Sequence, residues 1–387
     1  VNRRFFAYLF ASATADSGYW VTQVAQGWLV VKLTNSPVWL GLVAAAAQLP
    51  FLLFSLVGGH LADRFQRRRI VAANNCVTAA IAGVTAVLVA TGAISVGWLA
   101  GLGFLLGTCN AIEHPVDRAW MVDLAGGKNL GRAIGLSSLE WATARTVGPA
   151  IGGVVIAAIG IAAGYGAYAL SVLPMIVLAF LVRTRNSSAP SDRKTAVEHA
   201  HAMRAIVALS AFTAVFTIGV TPYISLLPDI AHNAFGQNAA GYGAMAAAGG
   251  AGAMGAAVLL SIRGTIAHKG RIAIAAAFAG ALLLIAFAHT HAFVPAMVLL
   301  VAMGAVDTMM FTLGNTYVQE ISGDADRGRA NAIFALAFLG AIPFGNAGLG
   351  TLAGRFTSQT VLGWSATVVA ATAVVFWFAA PLTRDAA

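Results

Sequence analysis

Residues 59–69 read Gly59-His-Leu-Ala-Asp-Arg-Phe-Gln-Arg-Arg-Arg69, which sets five charges (Asp63, Arg64, Arg67, Arg68 and Arg69) between two long apolar stretches. An apolar run that stops at such a cluster and resumes at Ile70 is two membrane spans joined by a tight turn. Charges are costly in hydrocarbon and are tolerated at the interface. The arginines place that turn on the cytosolic side.

Composition agrees. The 387 residues are 59% hydrophobic and 10% charged, far from the ~25% charged of soluble domains, so the chain is expected to be a polytopic membrane protein. A short secretory leader does not fit, because apolar stretches recur to the C-terminus and the first is too long for an h-region. Cys76 and Cys109 both lie in apolar runs and read as packing residues, with neither a disulfide framework nor a metal site.

At about 20 residues per span, the sequence reads as an all-α protein of about twelve transmembrane helices. They cover 5–31, 38–61, 70–91, 95–115, 132–157, 163–183, 204–231, 239–262, 271–290, 293–318, 330–354 and 361–382. The longest polar interruption, from Arg183 to Arg204, contains Asn-Ser-Ser-Ala-Pro-Ser-Asp-Arg-Lys and has the composition of a linker. It divides the chain into a six-helix bundle (1–183), a cytosolic linker (184–203) and a second six-helix bundle (204–387).

With the N-terminus in the cytosol, 20 of the 23 Lys and Arg residues fall inside. Lys32 and Arg355 fall outside, and Arg145 lies in a span. One missed span would reverse every later loop, so the asymmetry supports the helix count and puts both termini in the cytosol. The net charge of +9 then faces an anionic leaflet, not nucleic acid.

Gly59-x-Leu-Ala-Asp-Arg-x-x-Arg-Arg68 resembles the signature loop between helices 2 and 3 of the major facilitator superfamily. Four further motifs follow one branch in order and spacing. They are Gly18-Tyr-Trp-Val-Thr-Gln-Val-Ala-Gln-Gly-Trp-Leu-Val-Val-Lys-Leu-Thr-Asn-Ser-Pro37, Arg145-Thr-Val-Gly-Pro-Ala-Ile-Gly-Gly153, Leu226-Leu-Pro228, and Asn315-Thr-Tyr-Val-Gln319 with Arg327-Gly-Arg329. The chain is similar to the enterobactin-exporter-like (transmembrane secretion effector) branch over nearly its whole length.

The resemblance implies the major facilitator fold and export of siderophores, drugs or other small amphipathic compounds across a bacterial inner membrane, driven by the proton gradient. Its partners would be the solute, protons and the bilayer, with no cofactor, and the protein would act as a monomer. Two departures stand out: Gln66 where Gly is commoner, and Pro115-Val-Asp117 where the branch more often has Pro-Ala-Arg, which reverses a charge at the cytosolic end of span 4.

The resemblance also assigns Gly59, Asp63, Arg64, Arg67 and Arg68 to a latch holding the two halves together at the cytosolic face. The same residues also read as a solvated turn that only sets topology. Gly148-Pro149-Ala-Ile-Gly152-Gly153 matches an antiporter element of span 5. Glycines four apart on one helix face equally permit plain close packing, with Pro149 allowing a bend.

Charges inside spans must face protein or water, and they are few: Asp16, Glu113, Glu140, Arg145, Asp229 and Asp307. Asp16 heads a polar and aromatic stripe with Trp20 and Gln23, and Tyr19 lies on the adjoining stripe. That face suits an aromatic solute, or else forms a buried polar cluster satisfied by a neighbouring helix. Glu113, a further candidate solute contact, and Asp229 lie near span ends, where an interfacial role is an equal reading.

Glu140 and Arg145, five residues apart, cannot pair along one helix. Arg145 is therefore a candidate to meet an acid on another helix or an anionic solute. The proton-coupling group should be an acid reachable from both sides and partly withdrawn from water. Asp307, among Met303, Thr308, Met310 and Phe311, is the first choice and Asp16 the second, with Asp16 favoured as the solute contact.

No nucleotide loop, zinc-protease motif or Ser-His-Asp context occurs, and the histidines have no metal-ligand spacing. The chain is not expected to be an enzyme. A secondary exporter is the preferred reading, and a membrane binding or lipid-handling protein without coupled transport is the alternative.

Overall fold

The computed structural model describes residues 3–126, 130–182, 200–263, 266–322 and 327–379. The linker at 184–203 falls largely outside these residues, as do Lys128 and Arg384. Every regular element among them is helical. In the first half these are α1 (Arg3–Thr34), α2 (Pro37–Arg64), α3 (Arg67–Ala90), α4 (Val96–Ala125), α5 (Leu130–Ala158), α6 (Ile161–Ser171) and α7 (Leu173–Leu181). The second half holds α8 (Ala200–Gly219), α9 (Tyr223–Asp229), a π-helical turn (Ile230–Ala234), α10 (Ala239–Arg263) and α11 (Lys269–Ala288). It continues with α12 (Phe293–Ile321), α13 (Arg327–Leu339), α14 (Ile342–Ala353) and α15 (Ser358–Ala379).

Ten helical stretches among the described residues are long and apolar enough to cross a membrane. α1 and α5 are as long, at 32 and 29 residues, but are not among the ten. The reason lies in their side chains, since α1 carries Asp16, Gln23 and Gln26, and α5 carries Arg132, Glu140 and Arg145. Both are held between other helices: α1 lies against α5 and α6, and α5 against α10.

Three expected spans are broken rather than continuous. α6 gives way to α7 at Val172, just before Pro174; α8 and α9 are separated around Pro222; and α13 and α14 part before Pro343. A proline lacks the amide donor and crowds the preceding turn. Pro50, Pro115 and Pro149 are instead carried inside unbroken helices.

The fourth helix runs ten residues past its expected end at 115, to Ala125. That extension places Asp117 and Asp123 on a helix and not in a loop.

Within the first half α2 packs on α4, and α3 on α4 and α6; within the second, α12 packs on α10 and α11, and α11 on α15. The halves meet along two lines, α2 against α14 and α5 against α10. Both lines depend on bare backbone. A Cβ on Gly41 would lie 2.8 Å from the Gly350 Cα, and one on Gly153 would lie 2.9 Å from the Gly243 Cα.

Further contacts between the halves gather at the end where α1 turns into α2. The Asn233 amide donates to Asn35 Oδ1 at 3.0 Å, and Trp28 stacks on Tyr242 at 6.4 Å. Toward the opposite end, Gly131 and Gly135 of α5 and Gly255 of α10 face open space.

Candidate functional site

The side chains with chemical potential lie between the halves and inside the first of them. On α1, the Ser12 hydroxyl stands 3.2 Å from Glu140 Oε2 and 3.5 Å from Asp16 Oδ2. One hydroxyl hydrogen thus lies between two carboxylates from different helices, and Glu140 Oε1 is buried with no hydrogen-bond partner. Asp16 and Glu140 form one acidic site, a pairing that spacing along the chain did not reveal.

Beside it stands an aromatic wall. Tyr19 meets Trp20 at 5.5 Å, Trp20 meets Trp141 at 5.9 Å, and Trp141 stacks on Tyr19 at 6.5 Å. Gln23 and Gln48 stand at the Tyr19 hydroxyl. Trp141 is 42% exposed, so the wall is not sealed within the helices.

Glu113 is clamped by two amides, Asn74 at 2.6 Å and Asn75, both from α3. Asp117 takes the Tyr8 hydroxyl at 2.5 Å, while its other oxygen is buried without a partner. None of Asp16, Glu113, Asp117 and Glu140 has an ion-paired cation among the described residues. Neutral donors hold all four.

Arg145 has its acid already. Its guanidinium lies 3.6 Å from Asp307 Oδ2 and 5.8 Å over the Trp20 ring. This ion pair joins α5 of the first half to α12 of the second. Met303 and Met310, on the same helix as Asp307, are buried, and the arginine from the other half was not foreseen at this acid.

Asp229 accepts from Asn233 at 2.7 Å and Ser358 at 2.5 Å. It is a buried, satisfied carboxylate that fixes the π-helical turn next to the Asn35 contact.

Two arginines of the Gly59–Arg69 segment contact other helices of the first half. Arg67 is buried and pairs with Asp123 on α4 at 2.7 Å, and it also reaches the Ala119 carbonyl at 3.3 Å. Arg68 donates to the Ala179 carbonyl at 3.5 Å. Asp63 and Arg64 are exposed, and Gly59 has open space at its Cβ position. These contacts of Arg67 and Arg68 join α3 to α4 and α7 within the first half.

Breaking a buried ion pair from one side costs about 3–5 kcal/mol. Arg67→Met should therefore lower the unfolding temperature of the purified protein clearly, and Arg67→Met/Asp123→Leu should recover part of the loss. A thermal unfolding series in detergent measures this, and an unchanged midpoint in the single variant would refute it.

The span 5 glycines are close-packing residues. A Cβ on Gly148 would come within 2.6 Å of the Trp20 Cβ, and one on Gly152 within 3.0 Å of the Val21 Cα. Gly148 and Gly152 seat α1, Gly153 seats α10, and the Pro149 carbonyl lies against Gly243.

A helical transmembrane scaffold with paired halves and an ion pair held between them is that of a membrane transporter. Residues 1–386 match the transmembrane secretion effector family, and the chain belongs to that family of the major facilitator superfamily. It is 25% identical to the staphyloferrin A transporter of Staphylococcus aureus over 48% of this chain and 47% of that protein. It is 36% identical to the multidrug efflux pump Tap of Mycobacterium tuberculosis over 40% of this chain and 38% of that protein. The chain thus aligns with about half or less of the length of these relatives.

Among solved structures, it resembles a bacterial homologue of the human lysosomal transporter Spinster in an inward-facing, unoccupied conformation. The TM-score is 0.72 at 15% identity, covering 98% of this chain and 96% of that one. A D-xylose–proton symporter gives a TM-score of 0.75 at 15% identity, covering 98% of each chain. These likenesses show the fold. The family and the relatives it matches are transporters, not enzymes.

Proposed function

We propose that the chain is a twelve-span secondary exporter of amphipathic cations in a bacterial inner membrane, driven by proton antiport. The ten apolar spans together with α1 and α5 make twelve, six in each half. Transport proceeds by rocking one half on the other about a site near the bilayer midplane.

The observation that carries this reading is the Arg145–Asp307 pair, at 3.6 Å across the halves. Protonating Asp307 would neutralise it and release Arg145, so a proton can be exchanged for a change in how the halves meet. Because Arg145 is occupied by Asp307, the charge left for a solute is that of the first-half carboxylates. Asp16 and Glu140 beside Tyr19, Trp20 and Trp141 suit a cation with an aromatic or apolar body.

In this reading the latch role of Asp63 belongs to another conformation of the transport cycle, in which the turn would meet the second half. Asp63→Asn should leave the protein folded and lower transport by about 5–150-fold, through a shift of ~1–3 kcal/mol between states. Undiminished transport at equal expression would leave this turn as a topology determinant alone.

In this reading both termini and the linker lie in the cytosol. A reporter active only in the periplasm, fused at Pro190, should stay silent, and activity there would overturn the orientation. The exporter itself is tested in proteoliposomes with a fluorescent aromatic cation. Solute movement should follow an imposed pH gradient and stop when a protonophore collapses it. Gradient-independent binding without flux would favour the uncoupled alternative.

A further inference from the structure

We propose that an open-sided groove on the first half, between the end of α2 and the paired helices α3 and α4, binds one anionic phospholipid. The groove encloses about 720 Å³ and lies outside the acidic site described above. Its polar end is formed by Arg64, Gln66 and Arg69, and its walls by Val77, Ile81, Leu105 and Ile112.

The arginines of this turn divide by partner. Arg67 is held by Asp123 and Arg68 by the Ala179 carbonyl. Arg64 and Arg69 are exposed, have no ion pair among the described residues, and both line the groove. A cationic pair at the interface with an apolar channel leading from it is complementary to a phosphate diester carrying an acyl chain.

Length agrees with charge. Twelve residues of α3 separate Arg69 from Ile81, about 18 Å at 1.5 Å per residue, and one leaflet of a ~30 Å hydrocarbon core is about 15 Å deep. The groove therefore runs from the headgroup level to the middle of the bilayer.

The seat also touches the interior. Asn74 lines the groove and donates to Glu113 at 2.6 Å. A lipid in the groove would lie against the residue that orients this carboxylate.

Native mass spectrometry of the full chain in detergent, with phosphatidylglycerol or phosphatidylcholine added, tests the proposal. The wild type should retain phosphatidylglycerol about thirtyfold better, the effect expected of two interfacial cations. Arg64→Gln/Arg69→Gln should erase the preference, and Ala73→Trp, filling an exposed position on the groove wall, should lower retention of both lipids. Arg263→Gln/Arg271→Gln removes equal charge elsewhere and should change neither.

Equal retention of both lipids by the wild type would overturn the proposal, as would an equal fall in the Arg263/Arg271 control. Displacement by sn-glycerol 3-phosphate would make the groove a free-anion site, and displacement by an amphipathic cation would make it a solute entry; either refutes the lipid. A dimer lost on Ala73→Trp would mean that a second copy covers the groove, and would refute the lipid as well.

Discussion

Asp307→Asn is expected to abolish gradient-driven efflux, a loss of at least about tenfold, while purified protein still binds the solute. The carboxyl sits across from Arg145 at 3.6 Å and is the acid that links the halves. Asparagine keeps the shape but cannot take up or give back a proton. It also leaves Arg145 facing a neutral amide, so loss of function has a rival cause in the uncompensated guanidinium.

The double variant Asp307→Asn/Arg145→Gln separates the two. If the unpaired arginine is at fault, the double variant regains efflux. If Asp307 carries the proton, it remains inactive with binding intact. Efflux that still follows the pH gradient in the single variant would refute the assignment.

The second large effect is on affinity. Asp16→Asn and Glu140→Gln should each weaken binding of an aromatic cation by about tenfold, or ~1.4 kcal/mol, and a neutral isostere of the same solute should be affected far less. The two carboxylates flank one Ser12 hydroxyl, so the double variant should lose less than the sum of the two. Equilibrium titration of the quenching of Trp20 and Trp141 fluorescence gives both numbers. Equal loss for cation and isostere would mean that the acids shape the site without reading charge.

The family and the helical plan were legible in the sequence because the signals behind them are local. Apolar length, the Gly59–Arg69 charge cluster and the distribution of arginines each act within one span or one turn. Span ends were less legible. The apolar run of α4 fades after residue 115, but burial of Val116, Trp120 and Leu124 carries the helix on to Ala125.

Most pairings across the fold could not be read. Asp16, Arg145 and Asp307 were visible as charges in apolar surroundings. That Arg145 meets Asp307, and that Glu140 meets Asp16, depends on helix rotations set by glycine contacts such as Gly148 on Trp20. One pairing did leave a local signal. Asn74 and Asn75 stand side by side in an apolar span, where two amides need partners, and Glu113 is the acid they hold.

The uneven apolarity of the helices bears on how the protein is made. A charge at mid-span costs ~2.5–3.5 kcal/mol on insertion, and α1 and α5, with Asp16, Glu140 and Arg145, fall outside the set able to cross on composition alone. α1 is synthesised well before α5, yet each packs against the other and Ser12 bridges their acids. Part of the seating of α1 during biogenesis thus waits for a helix about a hundred residues later in the chain, and a nascent chain cut before α5 is expected to hold α1 less firmly in the membrane than one that includes it.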